Sequence, residues 1–354
     1  PVRLVKGAYW DSEIKWAQER GLADYPVFSR KIHTDVSYLA VMRYVLADAQ
    51  AFYPQFATHN AHAIASARVA AGTADFEFQR LHGMGEALYD AVMADDRNAP
   101  ACRIYAPVGG HEDLLGYLVR RLLENGANTS FVNRLADDET PVSTIVGDPV
   151  EAAERERSAG TTHITIPRPR EIYQPQRRGS VGLALTEPSV RLPLLDDMTR
   201  VLKSPFSAGP IVNGVPITGG EAAQLMLSPH DKRERVGTVR LATPGQLEEA
   251  ITSAAKAAHR WDMTSAHERA RILELAANLF ERERSTLMAA LVREAGKTLE
   301  AAQAELRETV DFLNYYAAEA RRLFSEPVIL KGPTGEENIL YLRARGVFAC
   351  ISPW

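Results

Sequence analysis

Cysteine is nearly absent from this chain: Cys102 and Cys350 are the two examples in 354 residues, far apart and outside any paired-cysteine motif. A disulfide framework and a cysteine-built zinc site are thereby excluded, and a reducing cytoplasm is the expected location. Long apolar runs are missing too, so no membrane-spanning helix is expected. The opening VRLVKGAYW reads as an interior strand and has none of the layout of a signal peptide. Starting at Pro1 and not at Met, the chain reads as a fragment. Excess charge of one sign is lacking as well: the net charge is -4, the pI is near 6.2, and the charges are mixed along the chain. That gives no electrostatic footprint for nucleic acid.

What is present starts with length, which exceeds the usual size of one domain and makes two units the natural expectation. In the first part, β-type runs recur as VRLVKG, PVFSRK, QFATHN, FEFQRL and CRIYAPVG, with amphipathic stretches such as DSEIKWAQER and DVSYLAVMRYVLADA interleaved. This is serial βα alternation. The expected strand ends Gly7, Lys31, Asn60, His82 and Val108 lie about 22 to 29 residues apart, near the period of a (β/α)8 barrel. The strands show no strict polar alternation, as for strands covered on both faces. The fold class is therefore α/β, a partial (β/α)8 barrel over residues 1–136, with a doubly wound open sheet as the structural alternative. Residues 137–205, with PRPREIYQPQRRGS and TEPSVRLPLL, are rich in Pro and Arg and read as an interdomain connector.

Residues 206–354 read as the beginning of a second α/β domain. Three helical stretches are expected, PGQLEEAITSAAKAAHRW, SAHERARILELAANLFERERSTLMAALVREAG and KTLEAAQAELRETVDFLNYYAAEARRLF, followed by the β-type ENILYLRARG and VFACI. Ser265, three residues before Glu268, is expected to form a capping box.

Function in a (β/α)8 barrel sits at the C-terminal ends of its strands. The polar groups there are Lys6, Arg30 with Lys31, Thr58, His59, Asn60, Gln79 and Tyr105. A single polar strand end also serves ordinary turn chemistry, so the argument rests on their recurrence. The strongest constellation is the helix HEDLLGYLVRRLLENG, where Leu114, Leu115, Leu118 and Leu122 are expected to form a buried stripe. Arg120 and Arg121 then point elsewhere. Adjacent guanidinium groups can clamp a carboxylate by charge-assisted bonds, and Glu124, four residues after Arg120, can orient that side chain. A solvated helix face with an ordinary ion pair is the alternative.

Several motifs are set aside. HGMGEAL follows a strand as a dinucleotide fingerprint does, but Leu88 replaces its third glycine. EAGKT lacks the first glycine of a P-loop and follows a helix. His59 and His62 lack a convincing further metal ligand. Cys350, inside an apolar run with no nearby base, reads as a buried structural thiol.

RLVKGAYWDSEI, FATHNAH, FEFQRLHGMGE and CRIYAPVGGHEDLLGYLVRRLLENGANTSFVNR resemble the proline dehydrogenase domain of the proline utilization A family. REAGKTLEAAQAELRETVDFLNYYAAEARRLF and GPTGEENILYLRARGVFACISPW resemble the start of the glutamate semialdehyde dehydrogenase domain of the same family, which is an aldehyde dehydrogenase. The resemblance implies FAD-dependent oxidation of L-proline to pyrroline-5-carboxylate. By motif position it implies that Arg120 and Arg121 bind the proline carboxylate, Glu124 supports them, and Tyr105 and Tyr9 shape the ring pocket. The implied FAD contacts are Arg3, Val5, Lys6, Gly7, Ala8, Trp10, Thr58, His59, Asn60, Gln79 and Phe131, with Arg3 nearest flavin N5. ISPW resembles a strand end that contacts NAD, which assigns Ile351, Ser352 and Trp354 to that cofactor.

The resemblance also implies a quinone electron acceptor at the membrane surface, peripheral membrane association and a homo-oligomer. The family's early barrel strands, with a lysine and an aspartate of the proline site, have no counterpart here. The NAD domain's catalytic Cys and general-base Glu would lie beyond Trp354, so the isolated chain is expected to be inactive, unable to close a barrel and poorly soluble. An optional DNA-binding module would precede Pro1, leaving DNA binding undecided. The competing readings are a stand-alone proline dehydrogenase, opposed by residues 206–354, and a non-catalytic barrel-derived binding protein.

Overall fold

The computed structural model describes residues 1–7, 9–48, 50–94, 99–126, 146–159 and 166–352, with the backbone alone for 122–126. Two compact units result: Pro1–Trp16 with Tyr25–Ile166, and Ala17–Asp24 with the chain from Pro167 onward.

The first unit is built on four parallel strands in sequential order, β1 (Val2–Val5), β2 (Pro54–Ala57), β3 (Glu77–Leu81) and β4 (Ala101–Tyr105). Between them run α1 (Trp10–Glu19), α2 (Lys31–Ala47), α3 (Ala61–Ala71) and α4 (Glu86–Ala94); α5 (His111–Gly126) follows β4. PVFSRK is not a strand, which corrects the expectation. β1 pairs directly with β2, Val2 opposite Pro54 and Val5 opposite Ala57, and leaves no lane for a strand between them. The run holds only Val27 and Phe28 as strand formers, and the Phe28 carbonyl instead accepts the Trp10 indole N–H at 2.8 Å. Lys31 opens α2 and does not end a strand, with Arg30 at the N-cap.

Alternation is partial and not strict, as the sequence indicates: Val5, Ala57 and Leu81 share the parity of the polar residues, and Arg80 shares that of Phe78. Leu4, Phe56, Phe78 and Cys102 occupy one row of the register and pack with Met42, Leu46, Ile64, Ala67 and Phe76. Phe76 meets Phe56 and Phe78 at centroid distances of 5.5 and 5.1 Å. Arg3, Gln55, Glu77, Gln79, Arg103 and Tyr105 fall on the opposite face by the two-residue period of a strand. One face is thus a helix-covered apolar core, and the other carries the polar cluster. The expected buried leucine stripe of α5 is not found: Leu114 is half-buried, but Leu115 and Leu118 are exposed, and the Leu122 side chain lies outside the described residues. The sheet ends at β4 among the described residues, so α5 has only an edge strand to cover.

The first unit also holds α6 (Pro149–Ser158); the second unit holds α7 (Pro188–Val201), the three-stranded sheet of β5 (Phe206–Ala208), β9 (Arg235–Val239) and β8 (Gln224–Leu227), and the hairpin of β6 (Ile211–Val212) and β7 (Val215–Pro216). Asn213 and Gly214, both at positive φ, make the tight turn of that hairpin. Next come α8 (Pro244–Met263), α9 (Ala266–Arg282), α10 (Arg284–Glu294), α11 (Leu299–Phe324) and the hairpin β10 (Val328–Leu330) with β11 (Asn338–Leu340). The expected middle helix is therefore two, broken at Glu283. Leu194 and Met198 of α7 join Met288, Ala289, Ala302 and Leu306 in one core. The stretch before α7 is tied down by α11: the Ser180 N–H and hydroxyl both donate to Asp311 at 2.8 Å, and the Leu183 N–H donates to Gln303 at 2.9 Å.

Two local expectations need correction. Ser265 caps α9 by accepting the Glu268 N–H at 3.2 Å, but Glu268 turns to Arg271 and does not return the bond; the reciprocal box lies instead at Thr243 and Gln246 of α8. VFACI forms no strand, and Cys350 is exposed, because no described strand pairs with that segment.

Candidate functional site

The site is built at the C-terminal edge and polar face of the β1–β4 sheet. Arg3 extends from β1 so that its guanidinium carbon lies 4.6 Å from the Tyr105 ring centroid on β4. Two strands intervene, and neighbouring strands lie about 4.8 Å apart, so this contact requires a concave polar face. Arg120 of α5 places its guanidinium carbon 5.6 Å from the Tyr9 ring centroid, just past the end of β1. Arg120 is thus directed at the strand ends and is exposed, while Arg121 is half-buried, stacks on Tyr117 at 5.1 Å and carries a charge that is felt at His59.

His59 follows β2, and its Nε2 accepts the Leu81 backbone N–H at 3.3 Å. Burial pushes the imidazole below its ordinary pKa, and the charges of Arg80 and Arg121 push the same way. Its ring rests on Gly85, where an added Cβ would stand 2.9 Å from the imidazole and φ is +66°. Thr58 is buried: its hydroxyl accepts the Asn60 N–H at 3.1 Å and its carbonyl accepts the Tyr89 hydroxyl at 2.8 Å. The Asn60 side-chain oxygen caps α3 on the Ala63 N–H at 3.0 Å.

Lys6 at the end of β1 donates to Asp35 of α2 at 2.5 Å, and Lys31 donates to the other oxygen of the same carboxylate at 2.6 Å. Burial lowers the Lys6 pKa despite Asp35. Burial works to raise the Asp35 pKa, but the two ammonium groups outweigh it and the net direction is down. The remaining expected residues are less engaged: Val5 and Gly7 are exposed, Gly7 has open space where a Cβ would sit, and Trp10 is held by Phe28. Ala8, Phe131 and Trp354, and the side chain of Glu124, lie outside the described residues.

The side chain that sequence reasoning missed is Glu77. It is 2 % exposed and sits on the polar face, where its carboxylate accepts from Gln55 at 2.8 Å, from Gln79 at 2.7 Å and from Arg103 at 2.9 and 2.8 Å. The Arg103 bonds, opposed by desolvation and helped by both glutamines, bring its pKa down to about 2. The Glu-x-Gln and Arg-x-Tyr alternation of β3 and β4 was the signal available in the sequence.

Arg3 and Gln79 lie on the polar face, and His59 stands just past the end of β2; their donors and acceptors suit the carbonyl oxygens and ring N–H of FAD. The residues assigned to NAD are exposed, Ile351 at 92 % and Ser352 beside it.

Comparison with known proteins follows the same division. The model of the family described as "Proline dehydrogenase" matches residues 1–134, and that of the "Aldehyde dehydrogenase family" matches residues 218–354. The bifunctional protein PutA of Klebsiella aerogenes is 48% identical over 364 aligned positions, covering 100% of this chain and 27% of that protein; its counterpart in Escherichia coli K12 is 47% identical, with 26% of that protein covered. Among solved structures, a variant of proline utilization A from Bradyrhizobium japonicum aligns with a TM-score of 0.79 at 44% identity over 98% of this chain and 32% of that one. The protein of the same name from Bdellovibrio bacteriovorus, inactivated by N-propargylglycine, aligns at 0.80 and 29% identity, covering 97% of this chain and 35% of its own. The chain thus spans about a quarter to a third of the relatives it matches.

Proposed function

We propose that the chain is part of a protein of the proline utilization A type, to which it is similar along its whole length, and that its first unit supplies part of an FAD-dependent L-proline dehydrogenase. The product is pyrroline-5-carboxylate. The observation that carries the reading is the placement of Arg120 over Tyr9 at the strand ends of a concave polar sheet, with Arg121 next to it in α5.

In this reading Arg120 and Arg121 hold the substrate carboxylate through charge-assisted bonds. Tyr9 and Tyr105 wall the pyrrolidine ring, and Arg3, stacked on Tyr105, keeps a fixed positive charge at the reacting end of the pocket. Glu124 supports the arginine pair. Lys6, His59, Asn60 and Gln79 contact FAD, together with the backbone and side chains of Val5, Gly7, Ala8, Trp10, Thr58 and Phe131. The chemistry that FAD supplies when bound is acceptance of a hydride equivalent from the substrate ring. The residues named here orient the substrate and exclude water from it.

The whole protein would go on to oxidise glutamate semialdehyde to glutamate with NAD, with Ile351, Ser352 and Trp354 as contacts of that cofactor. A quinone at the membrane surface is the proposed electron acceptor, which places a cytoplasmic homo-oligomer in peripheral contact with the membrane. The test is anaerobic addition of L-proline to the full-length protein carrying FAD. Bleaching of the visible flavin absorbance is expected, and persistence of the oxidised spectrum overturns the reading.

A further inference from the structure

Glu77 has no part in the chemistry described so far, yet it is among the most buried side chains of the chain. Its carboxylate stands at the centre of the polar face and gathers one partner from β2, one from β3 and one from β4: Gln55, Gln79 and Arg103. An ionised carboxylate only accepts hydrogen bonds. Each glutamine must therefore turn its NH2 group towards Glu77, because the reversed amide would set a carbonyl oxygen against the carboxylate. The Gln79 amide nitrogen is 2.7 Å from Glu77 Oε1, while the residue itself is two positions nearer the mouth of the sheet. Its carbonyl oxygen is the atom left for whatever occupies that mouth.

We propose that Glu77 is a positioning residue: it locks the Gln79 amide so that the carbonyl oxygen is presented to a hydrogen-bond donor of the bound flavin, the ring N–H or a ribityl hydroxyl. The inference rests on the flavin reading above and adds to it how the site selects the polarity of one contact. Arg103 holds Glu77 in place from the far side with two bonds, and so keeps the carboxylate ionised within the sheet.

The experiment is a double-mutant cycle in the full-length protein, reading the Kd for FAD by titration of the apoprotein together with the visible absorption spectrum. Glu77→Gln and Gln79→Met are each expected to raise the Kd about tenfold, the cost of one hydrogen bond at roughly 1.4 kcal/mol. The double variant should be no weaker than Gln79→Met alone, because Glu77 acts through that amide. Additive losses in the double variant overturn the proposal. Should Glu77→Gln not fold, Glu77→Asp replaces it, retaining the charge against Arg103 while withdrawing from Gln79, with the same non-additivity expected. Gln55→Met provides the structural control: it removes a different bond to the same carboxylate and leaves the Gln79 contact intact, so the Kd should stay within about twofold, and an equal loss of affinity there also overturns the proposal. If the unaltered protein takes up no FAD at all, the flavin reading itself fails, which is a different result from additive losses.

Discussion

The guanidinium of Arg3 lies over the ring of Tyr105 at 4.6 Å, although their strands stand at opposite edges of the four-stranded sheet. This contact spans the concave face and holds a positive charge where the proposed pocket closes. A cation over an aromatic face is worth about 0.5–2 kcal/mol. Tyr105→Phe keeps that face and should leave FAD retention unchanged, whereas Tyr105→Ala should weaken it several-fold. Flavin content per protein after extensive dialysis measures both, and equal retention in the two variants would show that the stack has no part in binding.

Arg121→Met preserves the length of the side chain and removes its charge. Loss of a charged hydrogen bond costs about 1.5–3 kcal/mol, so the KM for proline should rise by roughly tenfold to a hundredfold. Bound FAD should be retained. An unchanged KM would remove the arginine pair from the substrate site.

His59 is held below its ordinary pKa by burial and by Arg80 and Arg121. Because the folded state binds the proton less readily than the unfolded chain, stability falls as pH drops through the ordinary histidine range near 6.5, and the loss is complete below the lowered folded value. Glu77 acts in a separate, more acidic window: its pKa is depressed to about 2, so its contribution is present above the ordinary glutamate range and disappears as pH falls towards about 2. Urea midpoints measured from neutral pH downward should show the first decline in the wild type and lose it in His59→Gln. Parallel curves for the two proteins would refute the assignment.

In the second unit, Ala270 and Ala277 of α9 and Ala317 of α11 are buried, and these two helices pack closely along their length. Ala270→Leu inserts volume where none is free and should cost about 1–3 kcal/mol. Thermal unfolding should then begin at lower temperature in that unit, while Asn278→Leu, at an exposed α9 position, should be nearly neutral.

The parallel βα order, the positions of four strands and the paired arginines were legible in the sequence, because each is a local pattern of residue type and period. Strand ends were overestimated: QFATHN gives up Thr58, His59 and Asn60 to a turn whose bonds run to Tyr89, Leu81 and Ala63. PVFSRK had the composition of a strand start but no partner lane. The leucines of α5 have helical spacing, yet spacing cannot say whether a neighbour covers them. Cys350 was misplaced for the same reason, since an apolar run reads as buried whether or not a strand pairs with it.

By itself the sequence determined the class of fold, the order of the two homologous regions and the residue types available for binding a carboxylate, since these depend on local periodicity and on motif identity. Only the tertiary structure decided that Arg3 meets Tyr105, that Arg120 lies over Tyr9, and that Glu77 gathers Gln55, Gln79 and Arg103. Those relationships depend on the curvature and register of the sheet, which bring together side chains from separate strands and helices that no pattern along a single segment records.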